Sequence, residues 1–113
     1  MPTTKFLCLV RFQSDYRSKP PFSPEEMQAM YGAWQAFMAK FANEFKPQEL
    51  KPGGAVVRGG AVTDGPYIEA KEVLASYAMI EAPSLERAIE IIKESPLHGH
   101  PGASVELREL GRG

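Results

Sequence analysis

Eight large apolar side chains recur at three- and four-residue steps in the first half of the chain, and this stripe restricts the possible fold most. Steps of this size place side chains on one face of an α-helix. Such a wide apolar face has to be covered, and a β-sheet is a common cover. We therefore expect the stripe to pack on a sheet rather than to stack on a cofactor. Its members are Met27, Met30, Tyr31, Trp34, Phe37, Met38, Phe41 and Phe45.

The helix that carries this stripe has a clear start. Ser23 is followed by Pro24, Glu25 and Glu26, which predicts a capping box with Ser23 as the N-cap and proline at the first helical position. The stripe ends at Phe45, shortly before Pro47, so we expect the helix to end near Phe45.

The remaining patterns predict short strands and one further helix. Apolar or alternating runs predict strands at 5–12, 48–52, 73–81 and 104–110, and a hairpin at 55–62 that turns at Gly59-Gly60. In the strand over 73–81, Leu74, Ser76, Ala78 and Ile80 should share one face. The second helix is predicted at 84–94 and ends before Pro96. Its inner face should hold Leu85, Ala88, Ile89 and Ile92.

This order of elements predicts an α+β fold. Two helices that each need one covered face suggest a ferredoxin-like split β-α-β arrangement, an antiparallel sheet with both helices on one face. Val10, Tyr77 and Met79 are too apolar for a solvated opposite face. We therefore expect a homodimer in which two sheets pack face to face.

Composition restricts the function classes. At 113 residues the chain predicts a single domain over 1–113. Thirteen Lys and Arg against fourteen Asp and Glu give a net charge of −1, which argues against direct nucleic-acid binding. No apolar run is long enough for a membrane span and no leader pattern is seen, so we expect a cytoplasmic protein without membrane contact. The single cysteine, Cys8, excludes an internal disulfide and is expected to be buried and inert.

One longer motif lies between the predicted hairpin and the strand over 73–81. Residues 62–72 read VTDGPYIEAKE, which resembles the D-G-P-[FY]-x-E-x-K-E motif of the DGPF branch of YCII-related proteins. Residues 105–108 read VELR and are similar to the terminal strand of that family. The resemblance extends over essentially the whole chain.

The resemblance implies a ferredoxin-like fold of the dimeric α/β-barrel superfamily. The wider YCII-related group carries a His and an Asp proposed as a catalytic pair, and one relative acts as a dehydrochlorinase. DGPF-branch domains also occur fused to, or associated with, sigma-70-type transcription factors, which implies a regulatory role. The His–Asp pair is not carried over, because the stretch 23–34, where that His would lie, contains no histidine.

The motif has a structural and a functional interpretation. Asp64, Gly65 and Pro66 are typical of a tight turn. Asp64, Glu69 and Lys71 are the candidate catalytic residues, because carboxylates and an ammonium group can move protons or polarise a carbonyl. If these charged groups form a solvated ion-pair network instead, each pair contributes little. Candidate substrate-binding residues are Arg11, Tyr67 and Glu72.

The other chemistry-bearing residues give weaker patterns. His98 and His100 lack a third ligand placed by sequence, so we expect no metal site and no cofactor. Arg11, Arg58 and Arg108 could meet at a common cavity, where either an anionic substrate or Glu106 would pair with an arginine. We expect the protein to bind a small molecule or a partner protein. The alternatives are a cofactor-independent enzyme that uses the cleft between sheet and helices, or a module that acts with a sigma-70-type factor.

Overall fold

The computed structural model describes residues 3–16, 22–51, 53–69, 71–98 and 102–111, except the side chain of Glu69. These residues form seven strands and two helices. In chain order the elements are β1 (Thr4–Gln13), α1 (Pro24–Lys40), β2 (Phe45–Glu49), β3 (Ala55–Arg58), β4 (Ala61–Asp64), β5 (Ile68–Glu69), β6 (Glu72–Ala82), α2 (Leu85–Lys93) and β7 (Ala103–Glu109).

The main sheet confirms the predicted α+β fold. Its long strands pair antiparallel in the order β2-β6-β1-β7, which is the strand order of a ferredoxin-like split β-α-β unit. The short β5 pairs with the start of β6. The hairpin of β3 and β4 lies between β2 and β6 along the chain and forms a separate two-stranded sheet.

The core lies between one face of this sheet and both helices. Phe37 and Phe41 from the α1 segment and Ala88 and Ile91 from α2 belong to the same buried cluster. Burial of this apolar surface is the main force that holds the helices on the sheet. The sheet contributes Phe6, Cys8, Val10, Phe45, Ala78, Ile80 and Ala82 to the cluster.

Val10 lies on the helix side of the sheet, so its predicted place on the open face is wrong. It is 5% exposed and belongs to the core cluster. The open face carries the alternate residues of β1 and β6, including the cross-strand pairs Leu7–Met79 and Leu9–Tyr77. All four side chains are half-buried.

Helix α1 starts as predicted but ends earlier. Ser23 caps it, and both hydrogen bonds of the capping box with Glu26 are present. The helix ends at Lys40 instead of near Phe45, because Phe45 pairs with Ile80 as the first residue of β2. Pro47 is accommodated in β2 because this edge strand pairs on one side only.

A β-bulge interrupts β6. Val10 pairs with Ser76 but Arg11 pairs with Leu74, which leaves Ala75 as the extra residue. The prediction that Leu74 shares a face with Ser76, Ala78 and Ile80 is therefore wrong. Leu74 faces the open side, because the bulge reverses the alternation at this point.

Helix α2 lies where it was predicted, with Ser84 as its N-cap. Its inner face differs from the prediction. Ala88 and Ile91 are fully buried, whereas Leu85 is 45% and Ile89 is 38% exposed. The face of α2 that packs on the sheet contains Ala88, Ile91 and Ile92, and Ile92 packs at the edge of the core.

The predicted hairpin is confirmed. Gly59 and Gly60, the two turn residues, both have positive φ, the conformation that favours glycine in a two-residue turn. Val57 and Val62 pair across the hairpin and are 72% and 68% exposed. The segment between this hairpin and β6 contains the short β5.

Across the described ranges, neither helix has the length and apolar character needed to span a bilayer.

Candidate functional site

The motif segment folds back from the hairpin into β6. Asp64 is the last residue of β4, the peptide bond between Gly65 and Pro66 is cis, and Glu72 is the first residue of β6. Lys71, just before β6, has a φ of 65°, which is uncommon for a residue with a side chain. Its carbonyl oxygen accepts a hydrogen bond from the Ser14 backbone N–H at 2.7 Å, which ties the end of the motif to the segment after β1.

Gly65 is required by close backbone packing. Its N–H donates to the Gly54 carbonyl oxygen at 2.8 Å. A Cβ at this position would lie 2.8 Å from the Gly53 carbonyl oxygen and 2.9 Å from the Gly54 carbonyl carbon, both too close for a side chain. Close packing, and not a left-handed backbone conformation, therefore requires glycine at this position of the motif.

Tyr67 is held by the hairpin. The Arg58 Nη2 donates to the Tyr67 hydroxyl at 3.2 Å, and the guanidinium carbon lies 5.5 Å from the ring centroid. This is the geometry of a cation–π contact. Arg58 is thereby engaged within the motif region.

The three candidate binding residues, Arg11, Tyr67 and Glu72, line one cavity of about 300 Å³, which we call the motif pocket. Arg11 and Leu74 form its floor on the open face of the sheet, and Pro66 and Tyr67 come from the motif. The structure thus brings the three side chains together. The remaining described lining residues are Leu50, Lys51 and Gly53.

Two of the candidate catalytic residues, Asp64 and Lys71, do not line that pocket. Asp64 is exposed at the end of β4, where it pairs with Ala55, and its side chain makes no hydrogen bond or ion pair with the described residues. Lys71 lines a different surface cavity, beside Ser14 and Ser104. Glu69 belongs to β5 and pairs with Glu72 through the backbone, but its side chain lies outside the described part of the structure.

Arg11 and Arg108 meet at Glu106, whereas Arg58 contacts Tyr67, so the three arginines do not share one partner. Arg11 Nη1 lies 2.8 Å from Glu106 Oε1, and Arg108 Nη1 lies 3.4 Å from Glu106 Oε2. The hydrogen bond from Arg11, helped by Arg108, lowers the pKa of Glu106 below its ordinary value. Of the two partners that the sequence left open for Arg11, the structure therefore contains Glu106. On the same face, the carboxylate of Glu72 accepts a hydrogen bond from the Ser104 hydroxyl at 3.3 Å.

Cys8 and His98 both lie among the described residues, the first in the core and the second at the surface. Cys8 is fully buried as predicted, and burial raises the pKa of its thiol to about 12. His98 is exposed in the turn after α2, and His100 lies outside the described residues. Within the described ranges, no group of three or more His, Cys, Asp or Glu side chains could hold a metal ion.

The larger cavity is on the other face of the sheet. It has a volume of about 730 Å³ and lies between α1 and the sheet; we call it the α1 cleft. Trp34 and Tyr31 contribute from the helix, and Val10, Phe12 and Ala75 from the strands. The other described lining residues are Tyr16, Phe22, Met27, Met30, Met38, Pro47, Gln48, Glu49, Ser76 and Leu97.

The cleft exists because α1 packs on the sheet at one end of its stripe. At the C-terminal end Phe37, Phe41 and Phe45 are buried, and the Phe37 ring contacts the rings of the other two. At the N-terminal end Met27 is 51% and Tyr31 is 68% exposed. Trp34 lies between these two parts, with its ring centroid 5.5 Å from that of Phe37. The stripe therefore lines a cavity over its first half instead of packing throughout.

A cleft between sheet and helices was expected for the enzyme alternative, but the residues that line it were not predicted as a site. Asp64, Lys71 and Arg11 do not line the α1 cleft. The sequence signal for this cleft is the apolar stripe of α1, which contains more apolar residues than one row of contacts with the sheet requires. Its methionines are typical of adaptable binding surfaces as well as of cores.

Comparison with known proteins identifies the family. A comparison with curated proteins found no match. The family model for the YCII-related domain matches residues 5–110, nearly the whole chain. The match spans β1 to β7 and so includes the α1 cleft and the motif pocket. The chain belongs to the YCII-related family.

Proposed function

We propose that the protein binds a small, largely apolar molecule in the α1 cleft. The observation that carries this proposal is the cavity of about 730 Å³ lined mainly by aromatic and methionine side chains. Small-molecule sites in proteins fall at about 300–1,000 Å³ and combine apolar walls with a few polar groups. The α1 cleft fits this description in both size and lining.

The exposure of its walls supports the same function. Met27 and Tyr31 remain more than half exposed although they belong to the apolar face of α1. A bound apolar molecule would remove this surface from water, which is favourable by about 25 cal/mol per Å² buried. Met27, Met30 and Met38 are flexible and can adapt to the shape of a ligand.

The chain offers a built-in reporter for the test. Trp34 is the single tryptophan and lines the cleft. We expect phenylbutanol, a neutral apolar probe, to change the fluorescence of Trp34 in a saturable manner. Met30→Glu places a charge in the cleft and should abolish the response. Ala36→Glu places the same charge on an exposed position of α1 outside the cleft and should leave it intact.

Two results would contradict the proposal. One is the absence of a saturable response in the wild-type protein. The other is an equal loss of binding in Met30→Glu and Ala36→Glu, because a general effect of charge on α1 would then explain the result.

We also infer that two copies pair through the open face of the sheet. The pairs Leu7–Met79 and Leu9–Tyr77 form a half-buried apolar centre on β1 and β6. Charged and polar residues of the flanking strands surround it, an arrangement that resembles the centre and rim of a protein interface. The flanking residues in register are Lys46, Gln48, Glu106 and Arg108.

Light scattering tests the dimer. We expect a mass near twice 12.5 kDa at micromolar concentration. Leu9→Glu should give the single-chain mass, whereas Ile89→Glu, on the exposed side of α2, should not. A wild-type protein of single-chain mass would contradict the paired sheets.

A further inference from the structure

We propose that Glu49 and Ser76 determine the ligand specificity of the α1 cleft and that the cleft takes a hydrophobic amine. The proposal rests on the proposed function of the cleft and adds the chemical class of its ligand. It starts from the fact that a mostly apolar cavity has a polar end, where Glu49, Gln48 and Ser76 of two neighbouring strands line it.

The sheet register places the two side chains together. Glu49 of β2 and Ser76 of β6 are cross-strand partners, and both line the cleft. Directly opposed residues of antiparallel strands have Cβ atoms roughly 4.5–5.5 Å apart. One ligand group can therefore contact both side chains.

The bulge in β6 shapes this part of the cleft. Because Ala75 is the extra residue, both Ala75 and the adjacent Ser76 line the cavity, whereas regular alternation would turn one of them away. The small Ala75 side chain leaves room beside the serine hydroxyl. The bulge thus gives the polar end access to the apolar interior.

Both polar groups are available to a ligand. Within the described residues, neither the Glu49 carboxylate nor the Ser76 hydroxyl forms a hydrogen bond or ion pair with the protein. A carboxylate accepts hydrogen bonds only, while a hydroxyl both donates and accepts. The matching ligand group is therefore a donor, and a protonated amine adds opposite charge.

The walls determine the rest of the ligand. Trp34, Met30 and Phe12 offer contacts to an aromatic or aliphatic body. Charge-assisted hydrogen bonds are roughly twice as strong as neutral ones, so an ammonium head should bind more tightly than a hydroxyl head on the same body. A carboxylate head would be repelled by Glu49.

Three probes with one body test the assignment. Phenylbutylamine, phenylbutanol and phenylbutyrate differ in the head group alone, and Trp34 fluorescence or calorimetry can follow each of them. We expect affinity to fall in this order, with the amine binding ~10-fold more tightly than the alcohol. Glu49→Gln should remove the preference for the amine, so that the amine and the alcohol bind with similar affinity.

Ser76→Ala and a matched control complete the test. Ser76→Ala should weaken the amine and the alcohol alike. Glu109→Gln removes an exposed carboxylate at the end of β7 and should change neither. An amine preference that persists in Glu49→Gln, or tighter wild-type binding of phenylbutyrate, would overturn the assignment.

The outcomes also separate this proposal from the proposed function. Equal binding of all three probes would preserve the cleft as an apolar site and reject the role of Glu49 and Ser76. Failure of all three probes to bind would reject both.

Discussion

Gly65 shows how much of the motif can be understood residue by residue. The sequence predicted a turn, because Asp, Gly and Pro in succession are typical of turns. The structure adds the reason for glycine, the approach of the 53–55 backbone to within 3.0 Å of any Cβ there. That approach depends on the path of a neighbouring segment, so the sequence alone could not predict it. Arg11, Tyr67 and Glu72 line one pocket for the same kind of reason, because their meeting depends on the path of segments that are distant in sequence.

Gly65→Ala should therefore destabilise the protein. We expect a loss of about 1–3 kcal/mol in the free energy of unfolding, the usual cost of overpacking. Gly32→Ala is the matched control, since the added Cβ would meet nothing within 4 Å beyond the adjacent backbone of its own helix, α1. Replacing that glycine should stabilise the helix by up to about 1 kcal/mol. Denaturant unfolding measures both, and a Gly65→Ala variant as stable as the wild type would contradict the steric role.

Cys8 should be unreactive in the native protein. Its side chain is fully buried, and burial raises the pKa of the thiol to about 12, so the reactive thiolate is scarce at neutral pH. We expect a thiol reagent at pH 8 to label the native protein only as fast as the protein unfolds. In denaturant one thiol per chain should react at once. Rapid labelling of the native protein would show that β1 is not in the core.

The start of helix α1 can be predicted from the sequence, whereas its end cannot. Its capping box was predicted because all of its contacts are local, between Ser23 and Glu26. Its end was not, because Phe45 joins β2 by pairing with the distant Ile80. The same apolar stripe would line either a packed interface or a cavity, and the spacing between helix and sheet decides which. The bulge at Ala75 likewise depends on strand pairing and leaves no clear pattern in β6.

The ion pair between Arg11 of β1 and Glu106 of β7 predicts that the stability of the protein depends on pH. The hydrogen bond from Arg11 lowers the pKa of Glu106 in the folded protein. A carboxyl group with a lowered folded pKa stabilises the protein above its unfolded pKa, and this contribution is lost as pH falls through the folded pKa. Arg11→Gln should therefore reduce stability at pH 7 more than at pH 3.

Unfolding by denaturant over this pH range measures the effect. Glu106→Gln should reduce the loss of stability toward acid pH. The effect of the double variant on stability should differ from the sum of the two single effects, because the two residues interact. Additive effects, or a difference between wild type and Arg11→Gln that is constant with pH, would contradict this account of the ion pair.

The two faces of the main sheet carry different features. The helix side combines a buried core with the α1 cleft, and the open side combines an apolar centre with the motif pocket. Alternation along β1 separates them, with Val10 and Phe12 facing the cleft and Arg11 facing the pocket. Ligand binding and pairing of two copies can thus use opposite faces and need not compete.

The methionines provide the most direct test of the central claim, that the α1 cleft binds an apolar molecule. Met27, Met30 and Met38 line the cleft, whereas Met79 lies on the open face. We would titrate phenylbutanol into protein with isotope-labelled methionine methyl groups and follow each resonance by NMR. The account predicts saturable shifts of the Met27, Met30 and Met38 resonances, while that of Met79 stays in place. Unchanged cleft methionines, or a response confined to Met79, would contradict it.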